Sequence, residues 1–387
     1  MNDKPIPLSI PSITGNEWQY LKDCLDTGWV SSAGKFVEEF EKRISEYTGA
    51  ACAVACVNGT AALQVSLKLC GVSPGDEVIV PTLTFIAPVN SIRYNGAEPI
   101  FMDADKHYNI DIEKTIQFIK EETLFKQGVT VNRNTGKTIS ALVPVHVWGN
   151  AVWLDDLIQL CRERNIAIVE DASESLGTWY SKGDGANKHT GTIGNLGCLS
   201  FNGNKVITSG GGGMIISDNE NLIEKARYLT TQAKNDPIQY IHNEVGYNFR
   251  LSNIQAALGV AQLEQLDGIL KKKKNIFQKY INEVDKISGL SIAAVPNYAQ
   301  NNHWLNILQI DSDHYGRTRD DVLKNLKREG IESRPVWYPN HLQKPYWKCQ
   351  AYKVENAQHL VQNSLCLPSS SQLSEDDICR IARVLNG

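Results

Sequence analysis

Between about residue 50 and residue 217, short apolar runs alternate with segments of helical periodicity, and this alternation restricts the fold more than any other feature of the chain. The runs Cys52–Val57, Glu77–Val80, Pro99–Asp103, Ala141–Val147, Ile166–Glu170, Cys198–Phe201 and Met214–Ser217 have the length of strands. Between several of them, Thr60–Cys70, Ile86–Tyr94 and Val152–Arg164 carry apolar residues at helical spacing. A helix between two strands is long enough for a parallel crossover, and such helices cover both faces of the sheet. The expected fold is therefore α/β, built on a mostly parallel seven-stranded sheet.

At 387 residues the chain has room for two domains. We place a large domain over 1–265 and a smaller α+β domain over 266–387. Two helices, Asn16–Thr27 and Phe36–Tyr47, precede the alternating region, the second stopping at Gly49. Ser252 is suited to cap a helix running through Ala256, Leu258 and Leu263, and a long polar helix follows from Ile269 to about Ile287. Its Lys271–Lys274 run reads as a solvated face. Residues 121–138 are a polar insertion, expected to be a functional or partner-facing loop.

Charge and cysteine usage exclude several classes of function. Thirty-nine basic and 43 acidic residues give a net charge of −4, which offers no field for nucleic acid or anionic lipid. Nine cysteines occur without a CxxC, mostly inside apolar runs, and so read as buried thiols of a reducing compartment. Neither a signal-peptide core nor a run of about 18 apolar residues is present, so the expectation is a cytoplasmic protein with no membrane span. The histidines show no metal-binding spacing, and no metal is expected. Gly136-Lys137-Thr138 lacks the earlier glycine of a phosphate loop, and no GxGxxG opens a helix, which argues against a nicotinamide-dependent dehydrogenase.

A different set of residues carries chemistry. After the first strand, Asn58-Gly59-Thr60 opens a helix, where free N–H groups and the Thr60 hydroxyl favour an anion. Asp171 ends a buried strand and is followed by the small residues Ala172 and Ser173. Ser200 and Lys205 leave another strand, ahead of four consecutive glycines, Gly210–Gly213. With Phe85 as a flat cover, these are the parts that pyridoxal phosphate requires: an amine for a Schiff base, a carboxylate for the pyridine nitrogen, and a phosphate cup.

Together with Gly28-Trp29-Val30-Ser31, Phe40-Glu41, Pro74-Gly75-Asp76-Glu77-Val78, Gly96-Ala97-Glu98-Pro99, Pro144-Val145-His146, Gly246-Tyr247-Asn248-Phe249-Arg250, Gln255-Ala256-Ala257-Leu258-Gly259 and Leu367-Pro368, these motifs run nearly the length of the chain. In that order they resemble the sugar-nucleotide aminotransferases of the DegT/DnrJ/EryC1/StrS family, which have the aspartate-aminotransferase fold of type I. The resemblance implies Lys205 as the Schiff-base lysine and Asp171 as the partner of the pyridine nitrogen. It also implies Gly59, Thr60 and Ser200 as phosphate ligands and Phe85 as the ring-stacking aromatic. Asn248 would reach the cofactor of a second subunit, making a homodimer with shared active sites. Trp29, Ser31, His146, Arg250, Tyr338 and His341 are implied near the substrate, Arg250 by its diphosphate. Where many relatives have Gln close to the cofactor's phenolic oxygen, this chain has Glu174. A carboxylate there is either protonated or adds local negative charge.

Related dehydratases carry His in place of the lysine, so Lys205 implies transamination, with L-glutamate as donor and pyridoxamine phosphate as the intermediate form of the cofactor. The segments Val145–Asn150, Glu170–Gly177 and Phe201–Lys205 resemble the branch that feeds bacillosamine and legionaminic acid. That resemblance implies UDP-2-acetamido-2,6-dideoxy-α-D-xylo-hexos-4-ulose as acceptor and UDP-4-amino-4,6-dideoxy-N-acetyl-α-D-glucosamine as product. The alternatives are a GDP-perosamine synthase, a transaminase making a 3-amino dTDP-sugar, or a non-catalytic pyridoxal phosphate-binding regulator.

Overall fold

The computed structural model describes residues 4–236 and 238–387, so Met1–Asp3 of the expected large domain, and Pro237, lie outside the described residues. In the first half the strands are β1 (Cys52–Cys56), β2 (Glu77–Pro81), β3 (Glu98–Met102), β4 (Thr123–Lys126), β5 (Val129–Asn132), β6 (Thr138–Leu142), β7 (Ala167–Asp171), β8 (Trp179–Tyr180), β9 (Leu196–Ser200) and β10 (Gly213–Ser217). The main sheet runs β1-β10-β9-β7-β6-β2-β3, and Ala351–Tyr352 adds a parallel edge strand beside β3. Pairing is parallel from β9 through β7, β6 and β2 to β3, whereas β10 is antiparallel to both its neighbours. Burial on both faces explains the unbroken apolar runs, with Val78, Ile79 and Val80 of β2 all at 0% exposure.

All seven expected strands are present, within a ten-stranded sheet. The polar insertion at 121–138 is not a loop: β4 and β5 form a hairpin that pairs on to β6. Gln127 and Gly128 both have positive φ, 53° and 81°, as a two-residue hairpin turn requires. Asn132 fixes the hairpin, donating to Glu77 Oε2 and Gln350 Oε1 at 2.7 Å each.

Helix Asn253–Leu263 begins with a capping box between Ser252 and Gln255, and helices Glu17–Thr27 and Lys35–Thr48 stop at left-handed Gly28 and Gly49. Both of those helices pack on Asn253–Leu263. A second, four-stranded antiparallel sheet contains Leu290–Ile292, Asn306–Ile310, Arg334–Pro335 and Ser364–Leu367. Its separate core includes Ile276, Tyr280 and Val284 of helix Leu266–Val284, together with Ile6 from the start of the chain.

The lysine run in that helix departs from its expected solvated face. Lys273 is 3% exposed and donates to the carbonyls of Ser369 and Trp304 at 2.8 and 3.2 Å. It lies on the apolar stripe Ile269, Lys273, Ile276, Tyr280, Val284, a spacing visible in the sequence but masked by three neighbouring lysines. Among the cysteines, Cys24, Cys56, Cys161, Cys198 and Cys366 are buried, but Cys379 is exposed. No helix among the described residues is long and apolar enough to cross a membrane.

Candidate active site

The carboxyl ends of β7 and β9 and the turn after β1 meet at one edge of the sheet. Asn58 caps helix Gly59–Leu69, its side chain accepting from the Ala61 N–H at 2.8 Å. Gly59 then faces two serines. A Cβ added there would stand 3.0 Å from Ser200 Cβ and 3.2 Å from Ser173 Oγ, so only glycine leaves the space between these hydroxyls open. The helix begins at Gly59 itself, so the free N–H groups of its first turn lie beside that space.

Asp171 ends β7 at 4% exposure and accepts from the Ser173 N–H at 3.0 Å. Burial pushes its carboxyl above the usual range, against the hydrogen bonds of Ser173 and the charge of Lys205. A buried carboxylate in this position is stabilised by a cationic N–H partner. Lys205 projects from the segment after β9 and places Nζ 3.4 Å from Glu174 Oε1. The Trp304 ring centroid is 4.1 Å from the same Nζ. Glu174 is itself 6% exposed, and its second oxygen accepts from the Trp148 N–H at 2.8 Å. Burial raises its carboxyl as well, against the charge of Lys205.

Phe85 is 54% exposed at the start of helix Ile86–Tyr94. The segment Tyr338–His341 is pinned to the preceding turn: Thr82 Oγ1 lies 2.7 Å from His341 Nδ1, and Asn340 Nδ2 donates to the carbonyls of Thr82 and Thr84. Phe85, Tyr338 and His341 are thereby brought together, with Tyr338 exposed. Trp148 joins this segment to the carboxylate side by stacking on Trp337 at 4.9 Å.

Other expected residues lie elsewhere. His146 is fully buried: Nε2 lies 2.9 Å from Glu170 Oε2, while Nδ1 accepts from the Val152 N–H at 3.0 Å. Both ring nitrogens are committed, so it supports the strand ends rather than facing a substrate. Glu170 in turn gathers the N–H groups of Gly191, Ile193 and Gly194 at 2.6–2.9 Å. Arg250 is bound to buried Glu41, which also takes Arg227 at 2.8 Å and the Ala55 N–H at 2.7 Å. This ion pair holds the Arg250 guanidinium beside β1, because a buried Glu41 requires a cation. Trp29 and Ser31 are exposed, their carbonyls held by Asn253 at 2.7 and 2.6 Å. Asn248 is exposed on the segment bridged to Thr231.

Sequence reasoning did not single out Trp148, Asn302 or Trp304. Trp148 lies within the family-like segment Val145–Asn150 without having been assigned a role, Asn302 and Trp304 lie in no such motif, and the contacts of all three are with partners far along the chain.

The residues fit pyridoxal phosphate. Gly59, Thr60, Ser173 and Ser200 offer an open cradle for the phosphate, Asp171 a buried acceptor for the ring nitrogen, and Lys205 an amine between them. Comparison with known proteins agrees. The model of the DegT/DnrJ/EryC1/StrS aminotransferase family matches residues 11–386. EpsN of Bacillus subtilis (strain 168) is 36% identical over 99% of this chain and 95% of its own length. The GDP-perosamine synthase of Caulobacter vibrioides (strain ATCC 19089 / CIP 103742 / CB 15) is 36% identical, over 100% of this chain and 99% of its own. Among solved structures, DesI in the presence of its TDP-sugar product superposes with a TM-score of 0.87 at 27% identity, covering 99% of this chain and 93% of that one.

Proposed function

The chain belongs to the DegT/DnrJ/EryC1/StrS aminotransferase family, and from this premise we propose that it transfers the amino group of L-glutamate to C4 of a 4-keto-6-deoxy sugar nucleotide. It is a pyridoxal phosphate-dependent sugar-nucleotide aminotransferase. The observation that carries the reading is the convergence of Lys205, Asp171 and the Gly59–Ser173–Ser200 cradle at one sheet edge.

When bound, pyridoxal phosphate supplies an electron sink and a carrier for the amino group. In this reading Lys205 is the covalent anchor and the base that moves the proton at the carbon bearing nitrogen. Asp171 holds a proton on the ring nitrogen, and its burial strengthens that contact. Gly59, Thr60 and Ser200 orient the phosphate, and Phe85 covers one ring face. The exposed Tyr338 and the His341 segment border the cleft on the sugar-nucleotide side. Asn248 belongs to the cofactor site of a second copy, so the active form is a homodimer.

The acceptor we propose is UDP-2-acetamido-2,6-dideoxy-α-D-xylo-hexos-4-ulose, giving UDP-4-amino-4,6-dideoxy-N-acetyl-α-D-glucosamine and 2-oxoglutarate. Its support is the likeness of Val145–Asn150 and Glu170–Gly177 to that branch. A GDP-sugar acceptor is the second reading, supported by 36% identity to a GDP-perosamine synthase over its whole length.

The test is the visible spectrum of the cofactor-loaded enzyme. Glutamate should bleach the absorbance, and the correct keto sugar should restore it. Restoration by the UDP sugar, with the 4-amino product identified, supports the first reading. Restoration only by the GDP-linked 4-keto precursor of perosamine selects the second, and no response to glutamate overturns the donor. Lys205→Ala should keep the cofactor but lose turnover.

A further inference from the structure

Trp304 belongs to the segment entering the second sheet, yet its ring lies against Lys205 Nζ with a centroid distance of 4.1 Å. Glu174 Oε1 also stands 3.4 Å from the same nitrogen. The Lys205 side chain is only 14% exposed. A carboxylate and an aromatic face in contact with one nitrogen make a good seat for an ammonium group.

The seat is braced on every side. The Trp304 indole N–H donates to the Asn204 carbonyl at 2.6 Å, and the Ser9 hydroxyl reaches the same carbonyl at 3.2 Å. The Trp304 backbone N–H donates to Asn302 Oδ1 at 3.0 Å. Asn302 Nδ2 in turn donates to the carbonyl of Glu174 at 2.8 Å, so one amide joins the two walls. Below, Lys273 Nζ holds the Trp304 carbonyl at 3.2 Å and the Ser369 carbonyl at 2.8 Å. Burial draws the Lys273 ammonium down to about 7.

We propose that Trp304 and Glu174 form a parking seat for the ε-amino group of Lys205 whenever that lysine is not covalently engaged, and that Lys273 is a positioning residue that locks the ring in place. Such a seat removes the free amine from the space where substrate must enter and returns it from a fixed position. The inference rests on the reading of Lys205 as the cofactor lysine.

The experiment uses the full-length, cofactor-free protein. It is treated with acetic anhydride, and acetylation at Lys205 is followed by peptide mass, with exposed Lys182 as the internal standard. An amine in contact with both carboxylate and ring is shielded from the reagent. Trp304→Leu should raise acetylation at Lys205 relative to Lys182 by about thirtyfold, the scale of a desolvated cation–π contact. Trp304→Phe keeps a ring face and should retain most of the protection. Lys273→Met should lie between them, with unchanged circular dichroism. Equal labelling of Lys205 in wild type and Trp304→Leu would overturn the seat, as would loss of protection in Trp304→Phe to the level of Leu. Because the labelling uses no cofactor, attachment of pyridoxal phosphate at a residue other than Lys205 would overturn the parent reading while leaving the seat intact.

Discussion

Glu174 divides its carboxylate between two partners, with one oxygen 3.4 Å from Lys205 Nζ and the other accepting the Trp148 N–H at 2.8 Å. The carboxylate is almost wholly buried, and burial holds its proton affinity above the ordinary range in spite of the lysine. A group whose folded value is raised stabilises the protein below its unfolded value and loses that contribution as pH rises through the folded value. In the cofactor-free protein at neutral pH, Glu174→Gln should therefore raise the melting temperature, by roughly 2 °C for a change near 1 kcal/mol. The gain should shrink toward pH 4. Calorimetry across that range checks it, and a variant less stable at pH 7 than at pH 4, relative to wild type, would contradict it.

Gly59→Ala tests the phosphate cradle. The new methyl would press on Ser200 Cβ at 3.0 Å and enter the space between the Ser173 and Ser200 hydroxyls. The expected result is a cofactor dissociation constant about tenfold weaker, or about 1.4 kcal/mol, with little change in secondary structure. Fluorescence titration of the cofactor-free protein with pyridoxal phosphate measures this.

Lys273 gives a pH dependence of opposite origin. Its folded value is lowered to about 7, so between pH 7 and the ordinary lysine range the unfolded chain binds the extra proton. Stability contributed through this group must then rise with pH across that window. Lys273→Met removes the titration, and its melting temperature should fall behind wild type increasingly from pH 7 to pH 10. Parallel curves for the two proteins would count against a buried, titrating amine.

Shared sites in a homodimer predict complementation. Lys205→Ala and Asn248→Ala subunits, each inactive alone, should regain activity on mixing, because one hybrid site retains both residues. About a quarter of wild-type activity is the upper expectation for random exchange at equal amounts, with one intact site in half of the dimers. Subunit exchange confirmed by mass, without recovery of turnover, would show that Asn248 acts within its own chain.

Local signals in the sequence were strong enough to read the sheet and the helix ends. Ser252 with Gln255, and the glycines at 28 and 49, act through neighbours only a few positions away. Gly59, Asp171, Ser200 and Lys205 stood out in the sequence because each lies at, or within a few residues beyond, the carboxyl end of a buried strand. What escaped depends on distant partners. His146 sits in an apolar run that looks the same whether its ring faces a ligand or Glu170, 24 residues later. Arg250 could not be assigned to Glu41 from spacing, since 209 positions separate them. For the hairpin at Gln127-Gly128, strand residues Leu124-Phe125 and Val129-Thr130-Val131 flank the turn, but the polar stretches 120–122 and 133–137 around them made the whole segment read as an insertion.

The stack of Trp148 on Trp337 makes two distant segments one unit for any exchange of the surface around Tyr338 and His341. The aromatic on the carboxylate side and the segment bearing Tyr338 and His341 lie far apart in the chain but pack ring against ring. A chimera that imports residues 336–342 from a relative, without the matching residue at position 148, would carry a foreign surface on a native support. Grafts should therefore move both segments together, and a library varying either one alone will sample mostly mismatched joints.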